Sequence, residues 1–275
     1  MKIFYSIKDF LDHKLEINTF IPTMGNLHNG HMSLVEHAKK YSDIVCVSIY
    51  VNEDQFTEKK DFDSYPKSIN EDISMLEKSG VTYLLLPEKH DINFFSKPFD
   101  IKLEPTNLTL DLCGKSRPGH FLAVMDILHR FFQIIKPKHI LLGEKDFQQI
   151  LVISELIKIY NYKINLISSP IVRDNKGLAL SSRNSHLTNE EKIIASDIYK
   201  NLLLAKKMFD SNISINEIID EIYRIFDNSP IKLEYFTIRD SKTLQQGNDS
   251  DLIALLAAYV GKIRLIDNIF IRSDK

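Results

Sequence analysis

The sequence predicts an α/β fold, Rossmann-like, with a mostly parallel sheet carrying helices on both faces and a smaller C-terminal α+β domain behind it. Three observations predict it. Strand-like and helix-like runs alternate with short connections over the first 170 residues, the pattern of repeated β-α-β units. The segments richest in polar and glycine residues, "PTMGNLHNGH", "VNEDQF" and "GEKDFQQ", each follow a strand-like run, and ligands of parallel sheets bind beyond the carboxyl ends of the strands. After "SPIVRD" the pattern changes to two helices followed by long strand-like runs. The boundary is set there, giving a larger α/β domain over 1–170 and a smaller α+β domain over 171–275.

The elements follow in order. "INTFI" (17–21), "DIVCVSIYV" (43–51), "VTYLLL" (81–86), "HILL" (139–142) and "YKINLIS" (162–168) read as buried strands, being short, apolar and rich in β-branched residues. Between them, "MSLVEHAKKY" sets Leu34, Val35, Ala38 and Tyr41 on one helical stripe. "SINEDISMLEKSG" (68–80) ends on Gly80, a C-terminal cap; "FLAVMDILHRFFQIIK" (121–136) stops at Pro137; "FQQILVISELIKIY" (147–160) follows a turn. The segment 87–118, with Pro87, Pro98, Pro105 and Pro118, reads as a long loop of the kind that often serves as a lid. Two helices (about 188–208 and 214–226) then precede "KLEYFTIRD" and "GKIRLIDN", read as antiparallel strands.

Composition narrows the classes of function. With 35 Lys+Arg against 37 Asp+Glu the net charge is -2, which gives no electrostatic reason to expect nucleic acid or an anionic membrane as partner. Cys46 and Cys113 stand alone, without the paired spacing of a disulfide framework or a thiolate zinc site. The N-terminal "MKIFYSIKDFLDHKLEI" is broken by charges, unlike the apolar part of a signal peptide, and "LIALLAAYV" (252–260) is too short to span a bilayer. A cytoplasmic, soluble protein is the expectation.

Four motifs hold the chemistry. In "GNLHNGH" Gly30 and His31 open a helix whose unpaired N–H groups and dipole favour an anion, and His28 and His31, three apart, both face it. Gly25 and Gly30 allow close backbone approach. That suits a phosphate whose charge grows in a transition state; the competing readings are a metal site, for which no third ligand stands out, and two solvated histidines. "GEKDFQQ" offers Lys145 as a compact cation, or simply an acidic cap beside a surface lysine, and its Gln148 and Gln149 place amides on an otherwise apolar helix. "LSSRNSHL" presents two hydroxyls and Arg183, a polyphosphate site or an ordinary loop ahead of a helix capped at Thr188. "DLCGKSRPGHF" offers Lys115, Arg117 and His120, a binding or merely solvated basic segment. Taken alone, Glu71-Asp72 and Gln55 are uninformative.

Taken together, "PTMGNLHNGHMSLV", "SIYVNEDQF", "YPKS", "SRPGHF", "GEKDFQQ", "GLALSSRN", "YFTIRDSKTL" and "GKIRLIDN" occur in the order found in the pantothenate synthetase (pantoate–β-alanine ligase) family, and the resemblance runs from about residue 20 to 268. "HNGH" is similar to the HIGH signature of the wider nucleotidyltransferase superfamily, and "LSSRN" occupies the place of its KMSKS loop. The resemblance implies ATP-dependent ligation of pantoate and β-alanine through a pantoyl adenylate, with release of AMP and pyrophosphate, by a cytoplasmic homodimer using Mg²⁺.

Position by position, the resemblance implies that Met24, Gly25, Asn26, Leu27, His28, Asn29, Gly30 and His31 form the first ATP segment, with His31 as proton donor and His28 and Lys145 stabilising the phosphorus centre. Gly143, Glu144, Lys145 and Asp146 would line the nucleotide; Val172 with Leu180, Ser181, Ser182 and Arg183 would complete its site, the last four closing over the β- and γ-phosphates. Gln55 and Gln149 would hold pantoate, with Arg117 in the same acid-binding set and Asn52 as a β-alanine contact or a support behind it. Glu71 and Asp72 match an acidic pair linked to Mg²⁺.

Two departures stand out. "VNEDQF" has Glu53-Asp54 where the family usually has proline and a small or apolar residue, which predicts a looser loop and a carboxylate beside an anionic substrate. Ala123 replaces a usual glycine in "FLAV". The competing functions are another HxGH nucleotidyltransferase with a small-molecule acceptor, and a nucleotide-binding regulator without catalysis, which would not need both histidines and Lys145.

Overall fold

The computed structural model describes residues 1–100, 107–247 and 251–272. The chain divides into two compact units, one of Met1–Glu144 with Gln149–Pro170, the other of Lys145–Gln148 with Ile171–Lys275.

The first unit is built on six parallel strands, β1 (Lys2–Phe4), β2 (Thr19–Thr23), β3 (Val45–Ile49), β4 (Tyr83–Leu85), β5 (His139–Gly143) and β6 (Asn165–Ser169), in the order β1-β4-β3-β2-β5-β6. From β2 the chain winds one way to β3 and β4, then returns to place β5 on the opposite side of β2. The strand order therefore reverses between β2 and β5, and the crevice beyond the carboxyl ends there is where such sheets bind ligands.

The helices of this unit are α1 (Ile7–Asp12), α2 (Asn29–Ala38), α3 (Lys59–Asp63), α4 (Ile69–Lys78), α5 (Lys89–Phe95), α6 (Asn107–Leu110), α7 (Cys113–Ser116), α8 (His120–Ile135) and α9 (Phe147–Ile159), whose first two residues belong to the other unit. Side chains alternate across the sheet. Ile21, Val45, Val47 and Leu84 bury with Leu34, Val35 and Ala38 of α2 and Leu76 of α4. On the opposite face Phe20 meets Phe131 of α8 with ring centroids 5.6 Å apart. α4 stops at Gly80, whose φ of 68° suits glycine, while Val81 N–H reaches back to the Leu76 carbonyl.

The expected long loop over 87–118 is different in structure: α5, α6 and α7 lie in it, and Pro105 is outside the described residues. Cys113 is buried at the start of α7, and a Cβ on Gly114 would come within 2.1 Å of the Thr109 carbonyl oxygen, so only glycine lets α6 and α7 approach this closely.

The second unit holds an antiparallel sheet, β7 (Ile231–Asp240), β8 (Leu252–Val260) and β9 (Ile263–Arg272), in that order, with α10 (Asn189–Ala195), α11 (Asp197–Asp210) and α12 (Ile215–Asp227). Its core joins Ile198, Leu202 and Ala205 of α11, Ile218, Ile222 and Phe226 of α12, and Phe236, Ala254 and Leu256 of the sheet. The helix expected over about 188–208 is two, α10 and α11, meeting at Ser196; capping boxes start α10 at Thr188 and α12 at Ser214. Among the described residues no helix is long and apolar enough to cross a membrane.

Candidate active site

The "GNLHNGH" segment leaves the carboxyl end of β2 and becomes the first turn of α2. His28 is the N-terminal cap of α2: its Nδ1 accepts the Gly30 N–H at 3.1 Å. His31, three residues on, accepts the His28 N–H through its own Nδ1 at 3.3 Å. This is a capping box made of two imidazoles, whose rings lie 4.2 Å apart. Because a backbone N–H can only donate, Nδ1 of each ring holds a lone pair and the ring proton sits on Nε2. Two Nε2–H donors at a helix N-terminus form an anion-binding arrangement.

The turn before them is held from α4. Gly25 (φ 79°) and Asn26 (φ 50°) both take left-handed backbone, which turns the N–H groups of Asn26 and Leu27 onto the Asp72 carboxylate at 2.9 and 2.8 Å. Leu27 packs into the core beside Ile21 and Leu34. Met24 precedes this turn at the end of β2, and Asn29 is exposed in the first turn of α2.

Asp72 is 1% exposed and also accepts from the Ser68 hydroxyl at 3.0 Å; Glu71 beside it is exposed. Among the described residues no three His, Cys, Asp or Glu side chains are grouped to hold a metal ion. The Asp72 carboxylate is taken up by internal donors, so a Mg²⁺ held through this pair would rest on Glu71 and on the nucleotide phosphates.

At the end of β3, Gln55 closes a single 3₁₀ turn over Glu53–Gln55 and is buried. Its carbonyl is gripped twice, by Arg117 (Nη2, 3.2 Å) and by His120 (Nδ1, 2.9 Å), while Arg117 Nη1 lies 2.9 Å from His120 Nε2. His120 therefore donates from Nδ1 and accepts at Nε2. Buried Asn52 donates to the Ala123 carbonyl at 3.3 Å, a main-chain contact that the methyl group of Ala123 leaves intact.

The missing proline thus has local replacements. Glu53 and Asp54 are exposed and both face Lys89, 4.0 and 3.4 Å from its Nζ. Arg117, read from sequence as a substrate-binding group, spends part of its guanidinium holding Gln55.

Gly143 ends β5 opposite Ser169, and a Cβ there would meet nothing within 4 Å. Glu144 accepts from the Ser168 hydroxyl at 2.9 Å. Gln149, on α9, is partly exposed.

In the second unit Lys145 pairs with Asp146 at 3.1 Å, and its carbonyl accepts from Asn268 Nδ2 at 3.2 Å. Asp267, next to Asn268, binds Arg173 by a two-pronged bridge of 2.5 and 2.8 Å. Burial pushes the Asp267 carboxyl up, against the pull of Arg173. Arg173 also lies over the Tyr199 ring, 3.6 Å from its centroid. Val172 accepts the Leu180 N–H at 2.9 Å, and Arg173 and Ala179 form a β-bridge. Ser181 caps the 3₁₀ turn Ser182–His186, accepting the Arg183 N–H at 3.3 Å. The sequence reading missed the part played by Asp267-Asn268; the signal was "IDN" set between the aliphatic residues Leu265, Ile266 and Ile269, since a buried Asp and Asn need partners.

Comparison with known proteins agrees across the whole chain. Residues 4–270 match the family model described as pantoate-beta-alanine ligase. A pantothenate synthetase of Thermosipho melanesiensis is 40% identical over 255 residues, 92% of this chain and 90% of that protein. Another, from Thermosipho africanus, is 39% identical over 267 residues, covering 96% and 95%. The crystal structure of pantothenate synthetase from Thermus thermophilus superposes with a TM-score of 0.92 at 30% identity, over 99% of this chain and 100% of that one. The pantoate-beta-alanine ligase of Francisella tularensis, solved with β-γ ATP and β-alanine, gives 0.81 at 35% identity over 99% and 98%. The chain belongs to the pantoate-beta-alanine ligase family.

Proposed function

We propose that this chain joins pantoate to β-alanine at the expense of ATP, through an enzyme-bound pantoyl adenylate. A carboxylate is a poor acyl donor because oxide is a poor leaving group. In the first step a pantoate carboxylate oxygen attacks the α-phosphorus and pyrophosphate leaves. In the second, the β-alanine amine attacks the acyl carbon, loses a proton, and AMP departs with that oxygen. The protein's task in both steps is placement and charge stabilisation.

The observation that supports this reading most is the pair of imidazoles at the start of α2, each with Nδ1 engaged by a main-chain N–H and its proton on Nε2. His31 is proposed as donor to the reacting phosphate, with His28 and Lys145 stabilising its charge. Met24–His31, Gly143–Asp146, Val172 and Leu180–Arg183 are the proposed ATP contacts. Gln55 and Gln149 are the proposed pantoate contacts, with Asn52 and Arg117 acting beside them. Residues 1–170 and 171–275 are the proposed functional domains. Mg²⁺ is proposed to accompany the triphosphate, and the enzyme to act as a cytoplasmic homodimer.

Pantoate labelled with ¹⁸O in its carboxylate tests the route. One of the two labelled oxygens appearing in AMP is the expected result; that oxygen appearing in phosphate, in pyrophosphate or in water instead would remove the adenylate.

A further inference from the structure

We propose that Asp72 is the positioning residue of the ATP loop: its buried carboxylate fixes the left-handed turn Gly25-Asn26 and so sets the two imidazoles of α2. The proposal rests on reading Met24–His31 as an ATP segment. Three donors converge on Asp72, the N–H groups of Asn26 (2.9 Å) and Leu27 (2.8 Å) and the Ser68 hydroxyl (3.0 Å). The same hydroxyl lies 3.3 Å from Asn26 Oδ1, so one serine ties the loop to the first turn of α4. Hydrogen bonds to an ionised acceptor are among the stronger ones, and Asp72 sits in that first turn, where the helix dipole favours a negative charge.

The geometry accounts for the residue types. Non-glycine residues seldom take positive φ, and Asn26 does so here at 50°, held by the bond its own N–H makes to Asp72. Gly25 takes 79°, and a Cβ there would come within 3.1 Å of both Asp72 Oδ2 and Ile49 Cγ2, so the carboxylate fits against glycine alone. Only one residue separates Leu27 from Asn29, and it is His28, the cap of α2. A carboxylate that holds the Asn26 and Leu27 amides therefore fixes the backbone on which His28 sits. Asp72 acts through this loop and does not touch the nucleotide or a metal ion.

Three measurements on the full-length protein test this with Asp72→Asn, and with Ser68→Ala as a milder variant that keeps the carboxylate. Wild-type turnover with ATP, pantoate and β-alanine is read first, since its absence would sink the proposed function itself. Amide exchange at Asn26 and Leu27 is then followed with metal removed by chelator. It is expected to speed up about tenfold or more in Asp72→Asn and less in Ser68→Ala. In steady state, the KM for ATP should rise about tenfold, while the Mg²⁺ concentration giving half-maximal rate stays within about twofold of wild type. Unchanged exchange in an active, folded variant would overturn the proposal. So would a raised Mg²⁺ requirement with the ATP KM restored by excess metal, which is the behaviour of a metal ligand.

Discussion

Nδ1 of His31 accepts the main-chain N–H of His28 at 3.3 Å, so each imidazole of the motif has its Nδ1 tied to the backbone that carries the pair. Nδ1 serves the helix cap, and Nε2 carries the ring proton proposed for the chemistry. The two roles are separable by substitution. Asn at position 31 retains an acceptor near the Nδ1 position but has no group at Nε2. His31→Asn is therefore expected to fold with a Tm close to wild type and to lose about 10²–10³ in kcat, the usual cost of removing one transition-state donor. His31→Ala should lose the same activity and also about 1 kcal/mol of stability with the cap. Near-normal turnover in His31→Asn would remove the catalytic assignment.

Arg117 acts on Gln55 through geometry that a lysine cannot copy. Its two terminal nitrogens reach the Gln55 carbonyl and His120 at once, 3.2 and 2.9 Å away, whereas an ammonium is a single point charge. Arg117→Lys is expected to raise the KM for pantoate about tenfold and to leave the KM for ATP within about twofold. Equal effects on both substrates would show that Arg117 has a wider role than holding Gln55.

The Arg173–Asp267 bridge is buried, with side-chain exposures of 15% and 4%. Removing one partner strands the other charge. Asp267→Ala should destabilise the protein by about 3–5 kcal/mol in urea unfolding. Asn268→Ala, which frees the Lys145 carbonyl but breaks no ion pair, should cost far less stability while lowering kcat through Lys145. A kcat unchanged in Asn268→Ala would detach this asparagine from catalysis.

His129 supplies a pH dependence of stability. Burial lowers its pKa, outweighing the opposite pull of Asp126 and Asp100. The Tyr162 hydroxyl, itself pushed up to about 12 by burial, is hydrogen-bonded with His129 Nδ1 at 2.9 Å. A proton taken up by the unfolded chain near pH 6.5 is refused by the folded one. The contribution of His129 is therefore full above that pH and is lost as pH falls through the depressed folded value. Urea midpoints measured from pH 7.5 to 5 should fall less steeply in His129→Gln than in wild type.

Much of this was legible in the sequence because local chemistry and tertiary structure agree. Gly80 closes α4, and Pro137 follows α8 by one residue, after Lys136 has already turned left-handed at φ 51°. Other elements gave weaker signals. β1 is only three residues long, and β8 is buried along nearly its whole length, so it lacks the alternation that marks a half-exposed strand. The histidine motif was readable because its spacing is local. Asp72 was not: its partners Asn26 and Leu27 lie 46 and 45 residues away, and an acidic residue in a polar helix gives no hint of burial. The same holds for Asn268 and Lys145, 123 residues apart.

ATP cleavage is proposed to be coupled to both organic substrates. The measurement that tests it most directly is nucleotide product analysis of the purified protein with ATP, Mg²⁺, pantoate and β-alanine, leaving out one component at a time. Sustained release of AMP and pyrophosphate only when pantoate and β-alanine are both present is the predicted result, with no more than one equivalent of pyrophosphate when β-alanine is omitted. Sustained AMP formation without β-alanine, or no AMP in the complete mixture, would contradict it.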